Sequence, residues 1–306
     1  NRKRFYDLEN QHIHSFTNNV NDNDNEKMNR EMIEVAFKIS PDYESKAMES
    51  IKDVLKIIPN ISFSTKILSE IINTDLNEIS NYVTEKEIFI ARQYVEKLLK
   101  VNLSSINVLE HPLDYVSEAK CFSCDNDKHQ IFYNNDESGF SSTDTMVHEF
   151  GHAADLIISR AVGDDKLLFR HSSIAETIAY YCQYKFLIEH GTKKKRQGLF
   201  GAFIFTYLSI IICNYCQTNK VDLENLNEND FILDKSMQEL MKTFSHSMIT
   251  DRIKMIKDRH ATTTLLLYHE ILPRFGMIFA LFLLDKNEKF INDIIEKNSI
   301  DKSHHF

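Results

Sequence analysis

Glycine and proline are scarce in this chain, seven and four among 306 residues. These two types supply most of the sharp reversals of a backbone. A sequence so poor in them favours long helices over a turn-rich β architecture. Apolar residues recur at helical spacing along much of the length: Met28, Met32, Val35 and Ala36, then Met48, Ile51, Val54 and Leu55. Pro41 divides these two helices, because the residue before a proline is pushed out of the α region. Helices are also expected over 64–72, 78–100, 143–158 and 172–189, and through most of the remainder. For the helix from Thr143, Ser142 or Thr143 is the N-cap and Asp144 stands in the first turn. Residues 18–25 are polar and read as a loop. Only 115–124 and 129–134 break the helical texture, as two short strands across an Asp-Asn-Asp turn.

Charge narrows the class of partner. Forty-five acidic against 36 basic residues give a net charge of −9, the wrong sign for displacing counterions from phosphate, so no nucleic acid is expected. A mean hydropathy of −0.34 is that of a soluble globular protein. Five cysteines, an odd number in a chain too long to need disulfide staples, suit a reducing compartment. The opening NRKRFYDLENQ holds no apolar stretch of the secretory kind, so a cytoplasmic location is expected. One run asks a separate question. Residues 197–219 carry no charge and follow Lys193 to Arg196, as a membrane span would. Thr206, Tyr207, Ser209, Asn214 and Gln217 within it suit a buried helix better, with the KKKR cluster as a solvated loop. A membrane partner is therefore not expected.

Chemistry concentrates at His148-Glu149-Phe150-Gly151-His152. Positions i and i+4 share one helix face, so both imidazoles can reach one ion. Glu149 then lies beside the metal, placed to take a proton from a bound water. Zinc with three protein ligands and one open position lowers that water's pKa to about 7. Five residues of this pattern also arise as surface histidines beside a carboxylate. Here Val147, Phe150, Ala153, Ala154 and Ile157 make the helix too apolar for a surface element, and buried histidines need partners. Glu176, in an apolar helical context after 23 intervening residues, offers the third ligand. The two strands upstream could hold a peptide in extended form by main-chain hydrogen bonds. Ile158 stands where a third histidine or aspartate six residues after His152 would fall, so that alternative ligand set is absent. Asp155 either orients an imidazole from outside the metal shell or pairs along its own helix.

These residues resemble the M3 family of zinc metallopeptidases, its oligoendopeptidase F branch above all. The resemblance rests on His148 to His152, on Ile174-Ala175-Glu176-Thr177-Ile178-Ala179, on the gap between them and on the strand pair before the helix. It covers about residues 117–190. It implies a mainly α zincin-type fold with a small sheet beside the active-site helix, zinc as cofactor, and hydrolysis of peptide bonds. The family stabilises the oxyanion with Tyr and His from a later helix. Here His260, Tyr268, His269 and Gly276 are similar in kind, with Tyr268 first and His260 second as donor; the other reading is of core residues with a satisfied polar tip. The chain is shorter than full members, which implies a more open cleft and a protein rather than a short peptide as substrate. Residues 1–110 then form an N-terminal helical region and 111–306 the catalytic region, in one continuous unit. Such a form also fits an effector or toxin-like protease delivered into a host or target cell.

A different class remains open: a catalytically inactive metal-binding interaction protein that keeps the fold. Glu149 argues against it, since a structural zinc needs no adjacent base. Two CxxC pairs, Cys121/Cys124 and Cys213/Cys216, are read as buried thiols rather than a second zinc site, because each sits in an apolar element without turn residues. His171 is read as a loop histidine, and His304 and His305 as part of a polar tail.

Overall fold

A computed structural model of the chain describes residues 1–18, 83–111, 119–135, 142–168, 172–221, 244–259 and 275–297, with shorter pieces between 28 and 41 and between 225 and 241. The helices expected over 48–58 and 64–72 lie outside the described residues. What is described is mainly helical with one small sheet. Helix α1 spans Arg2–Thr17 and buries Phe5, Leu8 and Ile13 on one stripe. Helix α2 spans Glu85–Leu99 and buries Ile88, Ala91, Val95 and Leu99. It starts seven residues after the sequence suggests because Thr84 is extended and caps it, its backbone N–H donating to Glu87 Oε2 at 2.7 Å.

The expected strand pair is present as β2, Ala119–Phe122, and β3, Gln130–Tyr133, antiparallel with Ala119 opposite Tyr133. The turn between them passes through Asp125 at φ 51. A strand with no sequence signal, β1 over Asn107–Glu110, pairs parallel to β3, so the order is β1-β3-β2. Four mostly exposed residues are too short a run for periodicity to mark. Among the described residues this order leaves β2 at the edge. Contacts run freely across residue 110, through this sheet and through a buried ion pair from Glu9 of α1 to Arg160.

Helices α3, Thr143–Ala161, and α4, Ser172–His190, form the centre. The first packs on α2, β2 and α4, and the second also packs on α8, Phe275–Leu283. Met146, Val147, Phe150, Ile178, Tyr181 and Ile131 fill their shared core. The uncharged run forms α5, Lys193–Asn219, which packs against α7, His246–Arg259; α6 is the short helix Glu228–Leu233 and α9 the helix Glu288–Lys297. Phe203, Ile204, Leu208, Ile210 and Ile212 of α5 lie in a second core with Phe244, Ile253 and Ile278. No helix among the described residues is long and apolar enough to cross a membrane.

The KKKR cluster, expected as a loop, is instead the first turn of α5. Thr192 Oγ1 accepts the backbone N–H of Lys195 at 3.1 Å and caps the helix. Arg196 donates to the carbonyls of Leu187 and Ile188 at the end of α4, at 3.5 and 3.4 Å, where a cation also offsets the helix dipole.

Candidate metal centre

Five buried residues on α3, Met146, Val147, Phe150, Ala153 and Ala154, fix its rotation in the core. That rotation turns His148 and His152 toward α4, where Glu176 meets them. His148 Nε2 stands 3.1 Å from His152 Nε2, and the two nitrogens lie 3.4 and 3.5 Å from Glu176 Oε2 and Oε1. Ligands about 2.0–2.1 Å from a tetrahedral ion stand roughly 3.3–3.4 Å apart. The nitrogen pair is close to that edge; the two nitrogens meet different oxygens of the one carboxylate, and one donor atom from each residue lies within 4.8 Å of the others, so the set fits zinc in kind and can converge on one ion. Among the described residues it is the only group of His, Cys, Asp and Glu side chains that could hold an ion. Cys121, Cys124, Cys182 and Cys216 are free thiols and join no such group there.

Two glycines let the helices come this close. A Cβ on Gly151 of α3 would stand 2.8 Å from the Ala179 Cα of α4. A Cβ on Gly276 of α8 would stand 2.4 Å from Glu176 Cβ and 2.6 Å from the backbone nitrogen of Thr177. All three distances are below any normal carbon contact, so a side chain at either position must push α4 away. Gly276 thus backs the carboxylate ligand directly.

His148, His152 and Glu176 open on a cleft of about 380 Å³. Its walls include Glu149, Asp155 and Arg160 from α3 and Ala119, Lys120 and Cys121 from edge strand β2. Glu149 is buried at 6 % exposure and follows His148 directly. Asp155 is almost fully buried, and its charge, like that of Glu149, adds to the burial that holds the Cys121 thiol well above its usual range. A larger depression of about 1210 Å³ lies between α2, Thr143 and the end of α4. Among the described residues the candidate metal group lines the smaller cleft and not this depression.

The two imidazoles differ electrostatically. Burial works against protonation of both. For His148 the hydrogen bond and charge of Glu176, the charge of Glu149 and nearby Gln183 outweigh it, and the pKa is raised. For His152 burial dominates, Glu176 opposing it only in part, and the pKa falls to about 4. His152 is therefore neutral and ready to ligate across the physiological range.

Tyr268, His260, His269 and His171 lie outside the described residues. Sequence reasoning missed Tyr180, whose ring meets that of His148 edge-on at 4.5 Å, and Gln183, buried beside the same imidazole. Both follow Glu176 at i+4 and i+7, so a helical projection from Glu176 would have found them. It also missed α1 as a support. Arg160 at the end of α3 makes a two-pronged contact with Glu9, at 2.5 and 2.9 Å, and donates to the carbonyl of Asp125. Ser123 Oγ donates to Glu9 at 2.5 Å. The N-terminal helix is thereby bolted to both the metal helix and the turn beyond β2.

Compared with known protein families, with characterised proteins and with solved structures, the chain matches none of them.

Proposed function

We propose that this chain is a zinc-dependent endopeptidase of zincin type, related to the M3 family, with His148, His152 and Glu176 as ligands and Glu149 as general base. One observation carries the reading: two histidines and a glutamate with donor atoms within 4.8 Å of one another open on a cleft that also holds Glu149 and residues of strand β2. Zinc, when bound, would supply a Lewis acid for the scissile carbonyl and lower the pKa of a bound water to about 7. Glu149 takes the proton of the attacking water and passes it to the leaving amine nitrogen. Strand β2 lines the cleft beside the candidate ligands, where an extended chain could lie along it, which favours a protein or peptide as substrate. The family resemblance assigns the oxyanion donor to Tyr268, with His260 second. A cytoplasmic site of action, reached in place or by delivery into a target cell, goes with this reading.

The test compares the wild type with Glu149→Ala in a survey of new protein N-termini across a whole proteome, with zinc content measured in both. Loss of cleavage by roughly 10²–10⁴-fold at unchanged zinc content is expected. Identical cleavage profiles with zinc bound in both would leave the inactive metal-binding protein as the better reading.

A further inference from the structure

A histidine that ligates through Nε2 must carry its proton on Nδ1, and that N–H needs an acceptor to hold ring and tautomer in place. His148 Nδ1 is buried and has no hydrogen-bond partner within bonding distance. The amide beside this imidazole is Gln183, itself buried at 8 % exposure on α4, two turns beyond Glu176. An amide can face an imidazole with either end, oxygen or NH₂, and only the oxygen is useful here.

Asp144 decides which end it is. It lies one helical turn before His148 on α3, and its Oδ2 accepts Gln183 Nε2 at 3.0 Å. Its Oδ1 accepts Ser142 Oγ at 2.7 Å and Lys195 Nζ at 3.3 Å. A carboxylate with three donors converging on it can only accept, so the NH₂ of Gln183 is committed to Asp144. The amide oxygen is left as the end available to the imidazole. Lys195, from the first turn of α5, balances the charge and extends the chain to the surface.

We propose that Gln183 is a positioning residue for the metal site, its amide oxygen accepting Nδ1–H of His148, with Asp144 setting the direction of the amide. This rests on the metal reading given above. A neutral amide is a mild partner. It fixes the tautomer of His148 without placing a further carboxylate against a site that already holds Glu176 and Glu149.

The test measures zinc affinity by competition with a chelator, in wild type, Gln183→Leu and the double variant Asp144→Asn with Gln183→Glu. The double variant exchanges donor and acceptor between 144 and 183 but keeps an acceptor for His148. Gln183→Leu should bind zinc about 10–100-fold more weakly, and the double variant should return close to the wild-type affinity. A slowly exchanging imidazole N–H proton signal should appear in the zinc-loaded wild type and double variant and vanish in Gln183→Leu. Wild-type affinity and a retained signal in Gln183→Leu would overturn the proposal. So would equal weakening in both variants, which would make position 183 a matter of packing alone. Should Gln183→Leu fail to fold by circular dichroism, the double variant decides by itself. A wild type that holds no zinc would overturn the metal reading and this proposal together.

Discussion

Helices α3 and α5 are both long, apolar and buried, yet among the described residues only α3 of this pair contributes to a group that could hold a metal. On α5 the buried polar groups are satisfied one by one. Ser209 Oγ donates to the Phe205 carbonyl of its own helix at 3.0 Å and accepts from Arg252 Nε at 2.5 Å. Thr206 Oγ1 donates to the Met277 sulfur at 3.5 Å. On α3 the polar groups converge instead. His148, Glu149, His152 and Asp155 line one cleft, and Arg160 reaches a carboxylate 151 residues away. Buried polarity by itself is therefore no sign of function. Convergence on a space that a substrate can enter is the informative feature.

Substitutions on the two helices should separate these cases. Arg160→Met leaves Glu9 buried without its cation and should cost about 3–5 kcal/mol of stability in a urea titration. Adding Glu9→Leu should recover much of it, because the uncompensated charge is then gone. If the single variant is as stable as wild type, α1 is not the support described above.

Gly276→Ala gains helix propensity but drives a methyl group into Glu176. A net loss of about 1–3 kcal/mol is expected, together with weaker zinc binding. Unchanged zinc affinity would show that α4 yields without moving its carboxylate.

The next contrast is pH. Burial first, then the charge of Arg160, lowers the pKa of His129 to about 3, against about 6.5 in the unfolded chain. Its folded form is neutral, and Nδ1 accepts the Cys124 backbone N–H at 2.9 Å. Its contribution is complete above pH 6.5 and is lost as pH falls towards 3, by about 1.4 kcal/mol per pH unit. His129→Gln should remove that part of the slope. Parallel stability–pH curves for the two proteins would contradict the assignment.

The smallest effect belongs to α5. Ser209→Ala should cost about 0.5–1.5 kcal/mol and leave zinc content unaltered. A loss of zinc there would erase the distinction between the helices.

How much was legible beforehand differs by element. The boundaries of α4 and the start of α3 follow from apolar period and capping residues, which act over a few neighbouring positions. His148 and His152 share a face by helical geometry alone, and Glu176 is suggested by spacing and context. Strand β1 was not legible, because four exposed residues carry no alternation and pair only through the backbone of β3. Neither was the role of Lys193 to Arg196, whose charges suggest a loop until Asp144 and the end of α4 are brought to them.

From sequence alone came a mainly helical chain, the strand pair and the grouping of His148, Glu149, His152 and Glu176 as one candidate site, since period and side-chain chemistry are local properties. The tertiary structure alone decided that His148, His152 and Glu176 come together, that Gly276 backs Glu176 and that Gln183 is tied to Asp144, one turn before His148. Those facts depend on how α3, α4 and α8 cross. Helix crossing is set by close packing between residues far apart in the chain, which no local pattern records.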